Sequence, residues 1–327
     1  MKRPMPLGIL LFWAVEATQR RLGLKANVAK LAADPLEKRR GGGAPGWIAR
    51  RGPTDLLVTD ISVPGRGGAI PVRTYSPMNP AGLLPAVVFF HGGGWFLGCP
   101  EGADHVCRRI AKDAGVVVLN VDYRLAPEDI FPAGYDDCVD VVTWVSRSGA
   151  SIGVDPARLA VAGDSAGGNL AASVALAAVD ADLPVLSQIL IYPALDARMN
   201  DPWMHAYRGP GLQLNDCHDI LDVYLGGDRA LRTDPRVSPL LAPDVSGVAP
   251  ALILTGDIDI LRDHGRLYAE KLLGAGVPAR WITYPRAPHA FISLDRVCKD
   301  ALPAIALIVE ELRARLGTQL PAKESAA

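Results

Sequence analysis

The stretch Gly163-Asp164-Ser165-Ala166-Gly167 puts a serine at the centre of a G-x-S-x-G pattern, directly after the apolar run 159–162 and directly before the helix-like stretch 166–179. Small residues two positions either side of the serine let the backbone close a sharp strand-to-helix turn, which exposes the hydroxyl above a sheet. The hydroxyl then sits at a helix N-terminus, whose dipole favours developing negative charge. The chemistry such a residue can do is nucleophilic attack on a carbonyl carbon. A glycine-rich turn that binds phosphate would call instead for G-x-G-x-x-G or a lysine after the glycines, and neither is present.

A second signal, His91-Gly92-Gly93-Gly94-Trp95, follows the apolar run 86–90. Three glycines beyond a buried strand let the backbone turn its N–H groups toward a neighbouring site, where such donors stabilise an oxyanion. Standing alone the stretch would read equally well as a packing turn, and it gains its meaning from Ser165 downstream. His91 is expected to brace the loop rather than to move protons.

A serine nucleophile needs a base, and the base needs an orienting acid. Of six histidines, His289 lies just past the strand-like segment 280–284, and open α/β sheets build their sites at the C-terminal ends of strands. His264 falls on a helix-like stretch, His105 follows the glycine loop on another, and His205 and His218 lie in an irregular region. Three acids follow the run 251–254: Asp257, Asp259 and Asp263. Asp263 stands where a helix should begin and is expected to cap it. The residues alone leave Asp257 and Asp259 open. Either gives the chain order serine, acid, histidine.

Eight strand-like segments must position these residues: 55–63, 69–75, 86–90, 116–121, 159–162, 187–192, 251–254 and 280–284. The third to seventh are mainly continuous apolar runs, as in strands buried on both faces of a parallel sheet. Helix-like patterns at 105–114, 135–146, 166–179 and 263–273 alternate with them, so the fold class is α/β with right-handed crossovers. The turn 64–68 predicts an antiparallel edge hairpin. Residues 196–248 break the rhythm with Trp203, Tyr207, Leu212, Leu214 and Leu221, and read as a helical lid. Residues 1–50 lack strands and end in a glycine-rich joint at 41–46.

The 327 residues are 49% hydrophobic and carry 34 Lys+Arg against 35 Asp+Glu, which argues against disorder and against nucleic acid as a partner. Residues 1–50 hold a net charge of +7, which leaves −8 for the remainder. That segment reads as a solvated helix face over an apolar underside. Its alternatives are contact with an anionic membrane surface and a short signal peptide with Val15-Glu16-Ala17 as a poor cleavage site. The apolar run 7–15 is under half a membrane span. Five cysteines without a C-x-x-C pair are neither a disulfide framework nor a zinc set, and read as buried thiols of a cytoplasmic protein.

Taken together, His91 to Trp95, Asp122-Tyr123-Arg124-Leu125-Ala126-Pro127-Glu128, Gly163 to Leu170, Tyr192-Pro193, Asp234 to Pro239 and Asp259 to Asp263 resemble the hormone-sensitive-lipase-like carboxylesterases, bacterial family IV. The matches run in order from about residue 55 to 295. The resemblance implies an α/β-hydrolase core, with a mostly parallel eight-stranded sheet, at 51–195 and 249–327. It also implies a helical cap made of residues 1–50 and 196–248. The implied activity is hydrolysis of short- to medium-chain acyl esters, small molecules, without metal or organic cofactor. Ser165 would be the nucleophile, His289 the base and Asp259, now preferred to Asp257, its partner. The amides of Gly93, Gly94 and Ala166 would form the oxyanion hole, with Gly92 shaping the turn and His91 supporting it. Where the family has proline after the aspartate and glycine after the histidine, this chain has Ile260 and Ala290, and Asp129-Ile130 replace His-Pro after Glu128.

Trp95, Phe96, Trp203, Tyr207 and Leu212 are candidate lining of an apolar substrate pocket, and equally candidates for lid core. Asp164 and Asn169 either support the reacting groups or are polar residues of a helix start. Asp122, Tyr123 and Arg124 read as a bracing network beneath the glycine loop. A homodimer through an edge strand is common in the family, and no feature of the sequence demands it. Other activities open to the same triad are amide, carbamate or lactone hydrolysis and acyl transfer. A non-catalytic ligand receptor on the same fold would lack the histidine that His289 supplies.

Overall fold

A computed structural model of the chain describes residues 28–41, 46–209 and 211–318. Its centre is one eight-stranded sheet in the order β1-β2-β4-β3-β5-β6-β7-β8. The strands are β1 (Leu56–Gly65), β2 (Gly68–Pro77), β3 (Leu84–Phe90), β4 (Val117–Val121), β5 (Val154–Asp164), β6 (Val185–Ile191), β7 (Ala251–Ile258) and β8 (Ala279–Pro288). β1 pairs antiparallel with β2, and β2 antiparallel with β4, while every pair from β4 to β8 is parallel. This is the mostly parallel α/β sheet with an antiparallel edge that the apolar runs and the 64–68 turn predict.

The central strands are continuously apolar because both faces are covered. On β3, Val87 and Phe89 point into one core, with Val106 and Ile110 of α3 (Pro100–Ala114) and Ile305 and Leu312 of α9 (Ala301–Leu316). Ala86, Val88 and Phe90 point into the other. That core holds Val142 and Val145 of α4 (Ala133–Ser148), Leu170 and Val174 of α5 (Ala166–Asp180), and Tyr268 and Leu272 of α8 (Arg262–Gly274). Burying such side chains contributes roughly 1.5–3 kcal/mol each before chain entropy is counted.

Two segments lie outside the alternation. At the N-terminal side, α1 (Val28–Ala32) and α2 (Leu36–Arg39) are short, and Val28 packs with Phe96 and Ala126. The insertion supplies α6 (Pro202–Ala206) and α7 (Leu214–Tyr224). α1 lies against α7, where Leu31 and Ala32 join the same small cluster as Ile220 and Val223. The basic and apolar run of residues 1–27, with its membrane-surface and signal-peptide readings, lies outside the described residues, as do positions 42–45 of the glycine joint. Among the described residues no helix is long and apolar enough to cross a membrane.

Several boundaries differ from expectation for local reasons. β5 begins at Val154, five residues before the apolar run: Val154 already pairs with Leu84 of β3, Asp155-Pro156-Ala157-Arg158 bulge out of register, and regular pairing with β3 and β6 runs from Leu159. β8 continues past Tyr284 through Pro285 to Pro288. Asp263 does not cap α8: Leu261 holds the cap position, and Asp263 sits in the first turn paired with Arg262 and Arg266.

Candidate active site

β5 ends at Asp164, and Ser165 occupies the turn into α5 with φ 56° and ψ −115°. This left-handed backbone is costly for a residue with a side chain and persists only where the surroundings enforce it. The enforcement is steric and local. A Cβ on Gly167 would lie 1.9 Å from the Phe90 carbonyl oxygen, and one on Gly163 would lie 2.2 Å from the Gly167 carbonyl oxygen. Only glycine at both positions lets β3, β5 and α5 meet this closely. The Ser165 N–H donates to the Ile191 carbonyl at the end of β6, which ties the turn to the next strand.

β8 delivers His289 immediately after Pro288, and β7 delivers Asp259 immediately after Ile258. The histidine Nε2 lies 2.9 Å from Ser165 Oγ, and its Nδ1 lies 2.8 Å from Asp259 Oδ2. With the carboxylate accepting, Nδ1 carries the proton and Nε2 is free to accept from the serine hydroxyl. The Asp259 side chain is fully buried, whereas 18% of the His289 side chain remains exposed, so the acid is sheltered and the base can be reached. Asp259 Oδ1 accepts from the Leu261 N–H at 2.9 Å, which fixes the carboxylate plane. Asp257 is used elsewhere. It accepts from the Arg286 N–H and so clips β7 to β8.

Burial pulls the His289 imidazole toward its neutral form. The charge of Asp259, its hydrogen bond and the charge of Asp164 outweigh that pull, and the net shift is upward from the usual histidine range. Burial raises the Asp164 carboxyl to about 6, against the pull of the Gly92 N–H and of the His289 charge.

The glycine loop leaves β3 over this group. Gly93 and Gly94 have φ of 129° and 62°, and a Cβ on Gly93 would lie 2.1 Å from the Leu97 carbonyl oxygen. The Gly92 N–H donates to Asp164 Oδ1 at 2.8 Å. His91 braces the loop from within: its ring stacks on Tyr123 at 4.5 Å, and its Nδ1–H donates to the Gly92 carbonyl at 2.8 Å. Burial pushes its pKa down to about 4, which keeps it neutral. The Tyr123 hydroxyl donates to the His91 carbonyl at 2.7 Å, Arg124 pairs with Asp137, and Asp122 pairs with Arg40.

The residues read as pocket lining or lid core make the following contacts. Trp95, at φ 61°, turns inward and stacks on Tyr224 at 4.5 Å in the larger core, and Phe96 packs beneath α1; both are buried. Leu212 is half-buried against the core. Trp203 donates from Nε1 to the Asp259 carbonyl at 2.7 Å, and the Tyr207 hydroxyl donates to the Ile258 carbonyl at 3.3 Å. Asn169 is wholly buried and donates to the carbonyls of Ala194 and Val237, joining α5 to the insertion.

Sequence reasoning left Asp164 open between support of the reacting groups and a helix start, and its hydrogen bond to the Gly92 N–H favours the first. It missed the insertion's tryptophan on the turn of the acid, for which no signal existed, because 203 and 259 are far apart in the chain and share no pattern.

A family model described as alpha/beta hydrolase fold matches residues 87–293. The chain is 39% identical over 268 residues to carboxylic ester hydrolase LipN of Mycobacterium tuberculosis, covering 79% of this chain and 70% of that protein. It is 36% identical over 274 residues to ethyl acetate hydrolase of Pseudomonas putida, covering 82% and 86%. Among solved structures it is similar to the hyperthermophilic esterase of the archaeon Pyrobaculum calidifontis, with a TM-score of 0.81 and 34% identity over 95% of this chain and 99% of that one.

Proposed function

The chain belongs to the alpha/beta hydrolase family, and we propose that it hydrolyses short- to medium-chain acyl esters through an acyl-enzyme on Ser165. The observation that carries this reading is the unbroken hydrogen-bond chain from Ser165 Oγ through His289 to Asp259. His289 Nε2 takes the hydroxyl proton as Oγ bonds to the ester carbonyl carbon, and the carbonyl oxygen becomes an oxyanion. The N–H groups of Gly93, Gly94 and Ala166 receive that charge; the first two lie on the left-handed glycine turn and the third opens α5. Collapse breaks the bond to the alcohol oxygen, which leaves with the proton from His289. Water then repeats the sequence on the acyl-enzyme and releases the acid. Asp259 holds the imidazole tautomer and stabilises the imidazolium.

A cap built from residues 1–50 and 196–248, over a core at 51–195 and 249–327, is supported by the packing of α1 on α7. A cytoplasmic setting is supported by five cysteines that are all free and buried. A homodimer through an edge strand is supported by the sheet's two open edges, β1 and β8, each of which has one neighbour among the described strands.

The test is hydrolysis of p-nitrophenyl butyrate. Ser165→Ala is expected to lose at least roughly a thousandfold in kcat/KM, and wild-type turnover by that variant would overturn the reading.

A further inference from the structure

Resting on the reading of Ser165, His289 and Asp259 as a working triad, we propose that Trp203 is a positioning residue for it: its indole N–H, held out from the insertion, fixes the turn that keeps the Asp259 carboxylate on His289.

The turn after β7 has no proline, since Ile260, Leu261 and Arg262 follow Asp259. Its shape therefore rests on hydrogen bonds. Three are its own or the triad's: Asp259 Oδ1 accepts from the Leu261 N–H at 2.9 Å, Oδ2 faces His289 at 2.8 Å, and the Asp259 carbonyl accepts from the Arg262 N–H at 3.2 Å. The fourth comes from outside, from Trp203 Nε1 to the same carbonyl, and at 2.7 Å it is shorter than the one within the turn.

The indole is held on both sides. The Arg262 guanidinium lies 3.6 Å from its ring centroid, a cation–π contact, while Arg262 Nε donates to Asp263. The Tyr207 ring meets it edge-on at 5.7 Å, and the Tyr207 hydroxyl donates to the Ile258 carbonyl. At the start of α6, Asp201 accepts from the Met204 N–H at 3.0 Å and lies 3.5 Å from His264 Nε2 on α8. The helix is thus attached to the turn before, at and after Asp259. Loosening the turn rotates the carboxylate away from Nδ1, and misplacement of about 1 Å costs up to roughly a hundredfold in rate.

The experiment replaces Trp203 in the full chain in two ways. Trp203→Phe keeps a ring under Arg262 and removes the donor. The isostere 3-benzothienylalanine at position 203 keeps the indole's shape and replaces only the N–H with sulfur. With p-nitrophenyl butyrate, kcat should fall roughly tenfold in both while KM stays within about twofold. The acid limb of kcat/KM should move to lower pH, because the charged groups facing His289 are Asp259 and Asp164, with the Tyr192 ring on its side, and only the first has been disturbed. Unchanged kcat and acid limb in the isostere would overturn the proposal. So would a rise in KM alone, which would assign Trp203 to the substrate pocket, or loss of the folded state in the isostere itself. Failure of the triad reading looks different, since Ser165→Ala would then keep its activity.

Discussion

Asp164 and Gly92 are joined across the site: the N–H that opens the glycine loop donates to Asp164 Oδ1 at 2.8 Å, and a Cβ on Gly92 would lie 2.5 Å from Asp164 Oδ2. The residue before the nucleophile therefore sets the height of the loop whose next two amides are assigned to the oxyanion. Nucleophile and oxyanion donors share one rigid support, and neither can shift without the other.

Asp164→Ala removes that support and should lower kcat on p-nitrophenyl butyrate by roughly a hundredfold, the usual cost of an oxyanion donor out of place. Asp164→Asn keeps an oxygen in the same position and should lose much less. Steady-state kinetics of the two variants, compared at equal folded fraction, check the difference.

Asp164 also predicts a pH dependence of stability. Its carboxyl is raised from 3.8 to about 6 in the folded protein, so the folded state holds a proton that the unfolded chain has released between those values. The wild type accordingly loses stability from this group as pH rises from about 4 to about 6, and the loss is constant above that. The Tm of Asp164→Asn minus that of the wild type should grow across the window and then level. A difference that shrinks with rising pH would contradict the burial argument.

For His289 the sign runs the other way around the reaction. The imidazole must be neutral to accept the serine proton, so kcat/KM falls as pH drops through its raised pKa. Asp259→Asn removes the charge that overcomes burial and should move the acid limb to lower pH. It should also cost roughly ten-thousandfold in rate through the wrong tautomer, as in comparable triads. A pH–rate profile of the variant checks both.

Gly167 tests the packing that forces the serine turn. An alanine there would press its Cβ on the Phe90 carbonyl oxygen. Overpacking of this kind costs about 1–3 kcal/mol or more, so Gly167→Ala should lower the urea midpoint and lower kcat with it. Gly102→Ala, on an open face of α3, should change neither by much.

Arg39, the last residue of α2, ties that segment to the loops after β3 and β4. Its buried guanidinium donates to the Phe96 carbonyl at 2.6 Å and the Ala126 carbonyl at 2.7 Å, and it pairs with Glu128. Arg39→Met would leave both buried carbonyls without those donors, at roughly 1–3 kcal/mol each. Chemical denaturation should show that loss together with faster proteolysis of the segment before residue 41.

The central strands, the serine turn and the glycine loop were legible because each follows from local rules: unbroken apolar runs for doubly covered strands, and small residues where the backbone must close. His289 was legible by its place after a strand. The choice of Asp259 over Asp257 was not, since both follow the same strand. Side-chain direction separates them, and Asp257 turns to Arg286. For Trp95 and Phe96 the sequence left pocket lining and core packing equally open; the left-handed backbone at Gly93, Gly94 and Trp95 turns the indole inward, and α1 covers the phenyl ring. The roles of Trp203 and Tyr207 depend on tertiary contacts with the turn after β7, and no spacing encodes those.

The most direct measurement is the site and rate of trapping by a fluorophosphonate, read by intact mass and peptide mapping. One adduct should form, on Ser165, and it should form far more slowly in His289→Ala. An adduct on any other residue, or undiminished labelling of Ser165 without His289, would contradict the account.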